Sequence, residues 1–176
     1  MTRIGSLRPE HRNRLTDILR QTGVFRDEEV GIALELFDEA FPSPRSTGSS
    51  DYEFLGAFDD NDVLMGFACY GPTPETDQAY DLYWLAVDPT AQHEGTGTQL
   101  LRAVEGRLRE TRGRLVVAET SSRPEYDATR AFYESRGYRE AARISEFYAP
   151  GDDRIIYTKR IELGPRRVSQ ELKAHE

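Results

Sequence analysis

Residues Tyr80 to Gly113 (YDLYWLAVDPTAQHEGTGTQLLRAVEGRLRETRG) constrain this chain more than any other stretch. Tyr80–Val87 is an aromatic and branched run closed by Asp88-Pro89, the pattern of a buried strand. Gln92–Gly97 (QHEGTG) carries two glycines one residue apart. From Thr98 to Arg112 the apolar residues Leu100, Leu101, Val104 and Leu108 fall at helical spacing. The first turn of a helix has unpaired N–H groups and a partial positive charge. Glycine lets such a backbone approach an anion closely. A strand, a glycine loop and a helix in this order can therefore hold a phosphate or diphosphate. The same glycines can equally serve only a tight strand-to-helix turn, so the rest of the chain must decide.

The flanking elements fit one domain of 176 residues, expected over 1–163, with a polar tail at 164–176. A short strand is expected in residues 2–8, then helices over Pro9–Gln21 and Asp27–Phe41. Breaker residues Pro42–Ser50 form a loop. Tyr52–Phe58 and Val63–Tyr70 read as a hairpin around Asp59-Asp-Asn-Asp62. A calcium loop starting at Asp60 would need its bidentate acid at Gly71, so the acidic tetrad reads as a solvated turn. After the central helix come a strand over Arg114–Ser121, a helix from Tyr126 or Asp127 to Arg136 capped by Gly137, and strands over Tyr138–Tyr148 and Arg154–Leu163. Hairpins on both sides of one β-α-β crossover make an α+β fold with a mixed, mostly antiparallel sheet. No Walker lysine and no complete G-x-G-x-x-G are present, which sets aside P-loop and dinucleotide readings.

Net charge is 23 minus 31, or −8. That argues against nucleic-acid binding, which needs a basic face, and mildly favours cationic partners. No apolar run approaches transmembrane length and no hydrophobic signal core opens the chain, so the cytoplasm is the expected compartment. The single cysteine, Cys69, reads as strand interior. His11, His93 and His175 lack metal-ligand spacing, and no metal is expected.

Two separated motifs then give a resemblance. Gln92, Gly95 and Gly97 match Q/R-x-x-G-x-G/A after a strand ending in Leu85–Pro89. Thr129, Phe132, Tyr133, Gly137 and Tyr138 match A-x-x-F-Y-x-x-x-G-F/Y loosely. In this strand order the pair resembles the GNAT superfamily of acyl-CoA-dependent N-acyltransferases. The resemblance implies acetyl-CoA as acyl donor. The backbone of His93, Glu94, Gly95, Thr96, Gly97 and Thr98 would bind the diphosphate, with Gln92 and Arg130 contributing. Leu85, Ala86 and Val87 would pair with the pantetheine arm, and the Val87 N–H would polarise the thioester carbonyl. Position 94 is commonly Arg, Lys or Gly in the family; Glu94 is expected to face solvent. The family's frequent Asn before the second helix has no match in Pro124–Asp127.

Direct acetyl transfer needs a base for the amine, donors for the oxyanion and a proton for the thiolate. Strand alternation puts Asp81, Tyr83, Leu85 and Val87 on one face, and Asp81 matches the position of the Glu base in the histone-acetylating branch. Glu119 is the rival carboxylate. Tyr133 matches the family's thiolate-protonating Tyr, and Phe132 beside it reads as core. The acceptor, a small or protein amine, is shaped in this family by the first two helices and the Pro42–Ser50 loop, with Tyr52, Tyr83, Trp84 and Tyr148 as further candidates. A homodimer is common. Two other readings stay open: an acyl-CoA-binding sensor or scaffold without turnover, and a protein-interaction domain without ligand.

Overall fold

The computed structural model describes residues 2–42 and 50–164. The loop at 43–49 and the tail at 165–176, for which the sequence suggested an acceptor-side role and a polar terminus, lie outside the described residues. Seven strands form one sheet: β1 (Arg3–Ser6), β2 (Glu53–Phe58), β3 (Leu64–Pro72), β4 (Ala79–Val87), β5 (Leu115–Ser121), β6 (Arg139–Ala149) and β7 (Asp152–Arg160). Their spatial order is β1-β2-β3-β4-β5-β7-β6. Only β4 and β5 run parallel, joined by the crossover helix α3 (Thr96–Glu110).

Two helix pairs cover the sheet. Helices α1 (Arg12–Gln21) and α2 (Asp27–Ala40) press Leu15, Ile18, Leu19, Val30, Ala33 and Phe37 onto one face. On the other, α3 buries Leu100, Leu101, Val104 and Leu108, and α4 (Asp127–Ser135) buries Tyr133. The α3 residues are the apolar stripe read from the sequence. Pro9–His11 forms a 3-10 turn ahead of α1 rather than its first α-helical turn. The Asp59–Asp62 turn is held by Asp59, whose carboxylate accepts from the N–H groups of Asn61 and Val63, both at 2.9 Å.

Two features of β4 create the site. The first is a bulge. Cys69 pairs with Trp84 but Tyr70 pairs with Leu82, so Tyr83 is the extra residue. The second is a wedge. Pairing between β4 and β5 ends at Leu82↔Ala118, although β4 continues to Val87 and β5 to Ser121. Beyond that pair β5 bonds only to β7. The sheet opens between its two central strands, and the strand edges that face the gap have no partner.

Candidate functional site

The polar groups that line the wedge follow from ladder phase. The Asp88 N–H donates to the Met65 carbonyl at 2.8 Å. Residues of an antiparallel strand alternate in which neighbour they face. Ala86 and Asp88 therefore turn to β3, while Leu85 and Val87 turn their N–H and C=O into the wedge. The Val87 carbonyl accepts from Gln92 Nε2 at 3.1 Å, which ties the glycine loop to the end of the strand. Ala86 has no part in the wedge: its backbone belongs to the β3 ladder and its side chain to the core under α1 and α2. That corrects its inclusion among the ligand-binding positions.

The loop and the first turn of α3 form the second wall. Gly95 caps the helix with φ of 86°, and His93 is also left-handed at φ of 65°. Helix α3 starts at Thr96, two residues earlier than its apolar periodicity suggested. Among the described residues no group accepts a hydrogen bond from the backbone N–H of residues 93–98, the first loop-to-helix bond being Gln99 N–H to the Gly95 carbonyl. These are the orphan donors of a helix start. A Cβ on Gly97 would meet the Phe132 ring at 3.3 Å and Val87 at 3.6 Å, so only glycine keeps this wall clear.

The resulting cleft has a volume of about 630 Å³. Leu85, Val87, Gln92, His93, Gly95, Thr96, Gly97 and Thr98 line it, as expected. Glu94 is exposed and outside the lining, turned to solvent as its charge required. Two side chains differ from expectation. Arg130 does not reach the cleft: its guanidinium donates to the carbonyls of Ser121 (2.5 Å) and Arg123 (3.1 Å) and pairs with Asp127, so it fastens α4 to the end of β5. Arg136, which sequence reasoning missed, lines the cleft instead. It donates to Thr98 Oγ1 at 2.9 Å and lies 3.9 Å over the Phe132 ring. Its position four residues after Phe132, at the C-cap of α4, was the available signal. Phe132 packs against the core as expected and also forms cleft wall, because it faces the α3 start across the wedge.

A second cavity, about 160 Å³, lies on the other side of the wedge. Its walls come from α2, β4, β5, the β5–α4 connection and the β6–β7 hairpin, and they include Tyr83, Trp84, Glu119 and Tyr148. Tyr52, also foreseen there, packs edge-on against Tyr83 at 5.3 Å without lining the cavity. Leu85, Thr129 and Tyr133 line both cavities. Tyr133 is thus where the two meet. Its hydroxyl has no hydrogen-bond partner among the described residues, and burial raises its phenol well above the ordinary value. It stays protonated at neutral pH.

The two carboxylates foreseen from the sequence are together but not where alternation put them. The bulge at Tyr83 places Leu82, Leu85 and Val87 on the α3 and α4 face, and Asp81 on the opposite one. A shared face for Asp81 and Val87 is therefore ruled out, since one extra residue reverses the alternation. Asp81 lines a recess of about 200 Å³ with Tyr83, Val117 and Glu119. Glu119 and Tyr83 also line the second cavity, so the recess adjoins it. Burial raises the Asp81 pKa, a hydrogen bond from Thr73 Oγ1 at 2.8 Å opposes this, and the Glu119 charge adds to the rise. Glu119 itself is paired with Arg154. Burial and the Asp81 charge push the Tyr83 phenol up to about 12. Cys69 is fully buried, its thiol pushed up by desolvation, as expected of strand interior.

No group of three His, Cys, Asp or Glu among the described residues is arranged to hold a metal ion, and no helix among them is long and apolar enough to cross a membrane. The sequence profile of the acetyltransferase (GNAT) domain matches residues 50–140. A protein from Desulfovibrio desulfuricans described as a GNAT-family acetyltransferase is 40% identical, with TM-score 0.83 over 92% of this chain and 100% of its own. The ribosomal-protein-S18-alanine N-acetyltransferase of Escherichia coli shares the fold at TM-score 0.72 and 20% identity, over 96% and 99% of the two chains. So does the PaiA N-acetyltransferase of Thermoplasma acidophilum, solved with coenzyme A, at TM-score 0.68 and 20% identity over 91% and 99%. No curated protein matches the chain. The chain belongs to the GNAT acetyltransferases, and acyl transfer is its class of chemistry.

Proposed function

We propose that the protein moves an acetyl group from acetyl-CoA to a primary amine by direct attack, without a covalent enzyme intermediate. The observation that carries this reading is the Tyr133 hydroxyl, protonated and unpartnered, at the junction of a long cleft and a small cavity. The cleft suits the donor. Unpaired N–H groups of residues 93–98 offer a diphosphate site, and the free strand edge at Leu85 and Val87 offers amide partners to an extended pantetheine arm. A bound thioester supplies an acetyl carbon activated toward nitrogen. Leu85 is at the junction and Val87 is not, so the N–H of Leu85, rather than that of Val87, is assigned to the carbonyl oxygen.

The amine enters from the second cavity. Its excess proton leaves toward Glu119 and the recess behind it, where Asp81, made more basic by burial, takes it up through water. Nitrogen attacks the acetyl carbon and a C–N bond forms; the nitrogen then gives its second proton to water as the C–S bond breaks. Tyr133 donates its proton to the departing thiolate and is reprotonated from solvent. A chain that only held the donor would have no need of a protonated hydroxyl at the junction.

Tyr133→Phe tests the assignment. With acetyl-CoA and an amine panel, kcat is expected to fall by about 100-fold, while coenzyme A affinity by calorimetry stays within about twofold. Equal turnover in both proteins removes Tyr133 from the chemistry, and no turnover in either replaces the enzyme reading with a sensor.

A further inference from the structure

We infer that the acceptor is a primary amine that also carries a carboxylate, a free α-amino acid with an apolar side chain; this rests on the acetyl-transfer reading above. The argument starts from how arginines are used in the molecule. Arg12 grips Asp38 through two hydrogen bonds of 2.7 and 2.8 Å, and Arg143 grips Glu140 through two of 3.0 and 3.1 Å. These are closed forks with their facing donors spent. Arg26 and Arg123, which line the small cavity, are different. Arg26 comes within 3.7 Å of Asp152 and makes no side-chain hydrogen bond among the described residues. Arg123 approaches the same carboxylate oxygen at 3.5 Å and Glu29 at 3.9 Å, lies 5.2 Å over the Tyr126 ring, and makes a long bond to Ser121 Oγ at 3.4 Å.

Two guanidinium groups thus face one cavity with most of their N–H donors unspent. Each has five such donors in a planar arrangement that matches a carboxylate. Asp152, with a side chain only 6% exposed, sits behind them and is satisfied mainly by Ser121 Oγ at 2.5 Å. Asp152 and Glu29 balance the two arginines in formal charge, and the third carboxylate on the cavity, Glu119, is balanced by its ion pair with Arg154. A neutral site of this kind suits a zwitterion and disfavours a polyanion or a polyamine. The remaining walls are aromatic: Phe25 meets Trp84 at 5.2 Å and Tyr126 at 6.4 Å. The Thr120 hydroxyl, in a residue 5% exposed on the same cavity, is also unpartnered. About 160 Å³ is room for an amino acid and not for an oligosaccharide.

The experiment compares matched acceptors with acetyl-CoA: L-leucine against 3-methylbutylamine and L-leucinamide, and L-phenylalanine against 2-phenylethylamine. The amino acids are expected to show kcat/KM at least about tenfold above their uncharged-end analogues. Arg26→Gln alters a side chain that is 50% exposed, so the fold is retained. It is expected to raise KM for L-leucine about tenfold and to leave 3-methylbutylamine unchanged. Arg123→Lys is expected to act in the same direction. Preference for the decarboxylated amines, or an equal effect of Arg26→Gln on both, overturns the inference and leaves acetyl transfer standing. No turnover with any of the five compounds or with a wider amine panel overturns both.

Discussion

The two cavities on either side of the wedge are built from different materials. The donor cleft is mainly backbone: orphan N–H groups of one loop and helix start, and the free edge of β4. Its elements are close in sequence, and its one flanking cation, Arg136, needs no acid to place it. The acceptor cavity is side chains: carboxylates, guanidiniums and aromatic rings from five separated segments. A backbone site binds one invariant group and tolerates variation around it. A side-chain site is rewritten by a single substitution, which is how one fold serves many acceptors.

Substitutions can break or sharpen that contrast. The largest effect is expected at Gly97. A valine there would press on Phe132 and fill the cleft, so coenzyme A affinity should fall about 100-fold by calorimetry. Unchanged affinity would place the donor elsewhere. Next is Asp81→Asn, expected to lower kcat about tenfold or more with coenzyme A affinity unchanged. The same variant carries a sign test. Burial raises the folded-state pKa of Asp81, so its ionised form opposes folding. Relative stability is full at acid pH and is lost as pH rises through the folded pKa. Asp81→Asn should therefore be more stable than wild type at neutral pH, and the gain should fade as pH drops through that raised value toward the ordinary carboxylate value. A destabilised Asp81→Asn at neutral pH would show that its bond with Thr73 outweighs burial.

The smallest effect is at Thr120. Valine keeps the shape and removes a buried hydroxyl with no partner, so thermal unfolding should move up by about 1 kcal/mol. A fall in stability would mean that this hydroxyl is bonded within the free protein, and the acceptor cavity would then hold less unspent polarity than is inferred above.

The cleft proposed for the donor was legible in the chain because its causes are local. Gln92, Gly95 and Gly97 define a left-handed cap and a helix start, and those dictate unpaired N–H groups whatever surrounds them. The apolar spacing of α3 likewise named its buried residues, Leu100, Leu101, Val104 and Leu108. Nothing local separates Arg130 from Arg136: one lies on α4 and the other caps it, and the carbonyls that capture Arg130 come from the β5 end and the residues after it. The position of Asp81 was inverted by the Tyr83 bulge, which no residue type announced.

The order of elements, the helical stripes and the glycine turn at the head of α3 were fixed by periodicity and glycine placement, which act over a few residues. The wedge between β4 and β5, the face on which Asp81 emerges and the open forks of Arg26 and Arg123 were decided by the assembled sheet. They depend on where pairing stops and on which distant groups arrive to satisfy a donor, and neither is a property of any local stretch of chain.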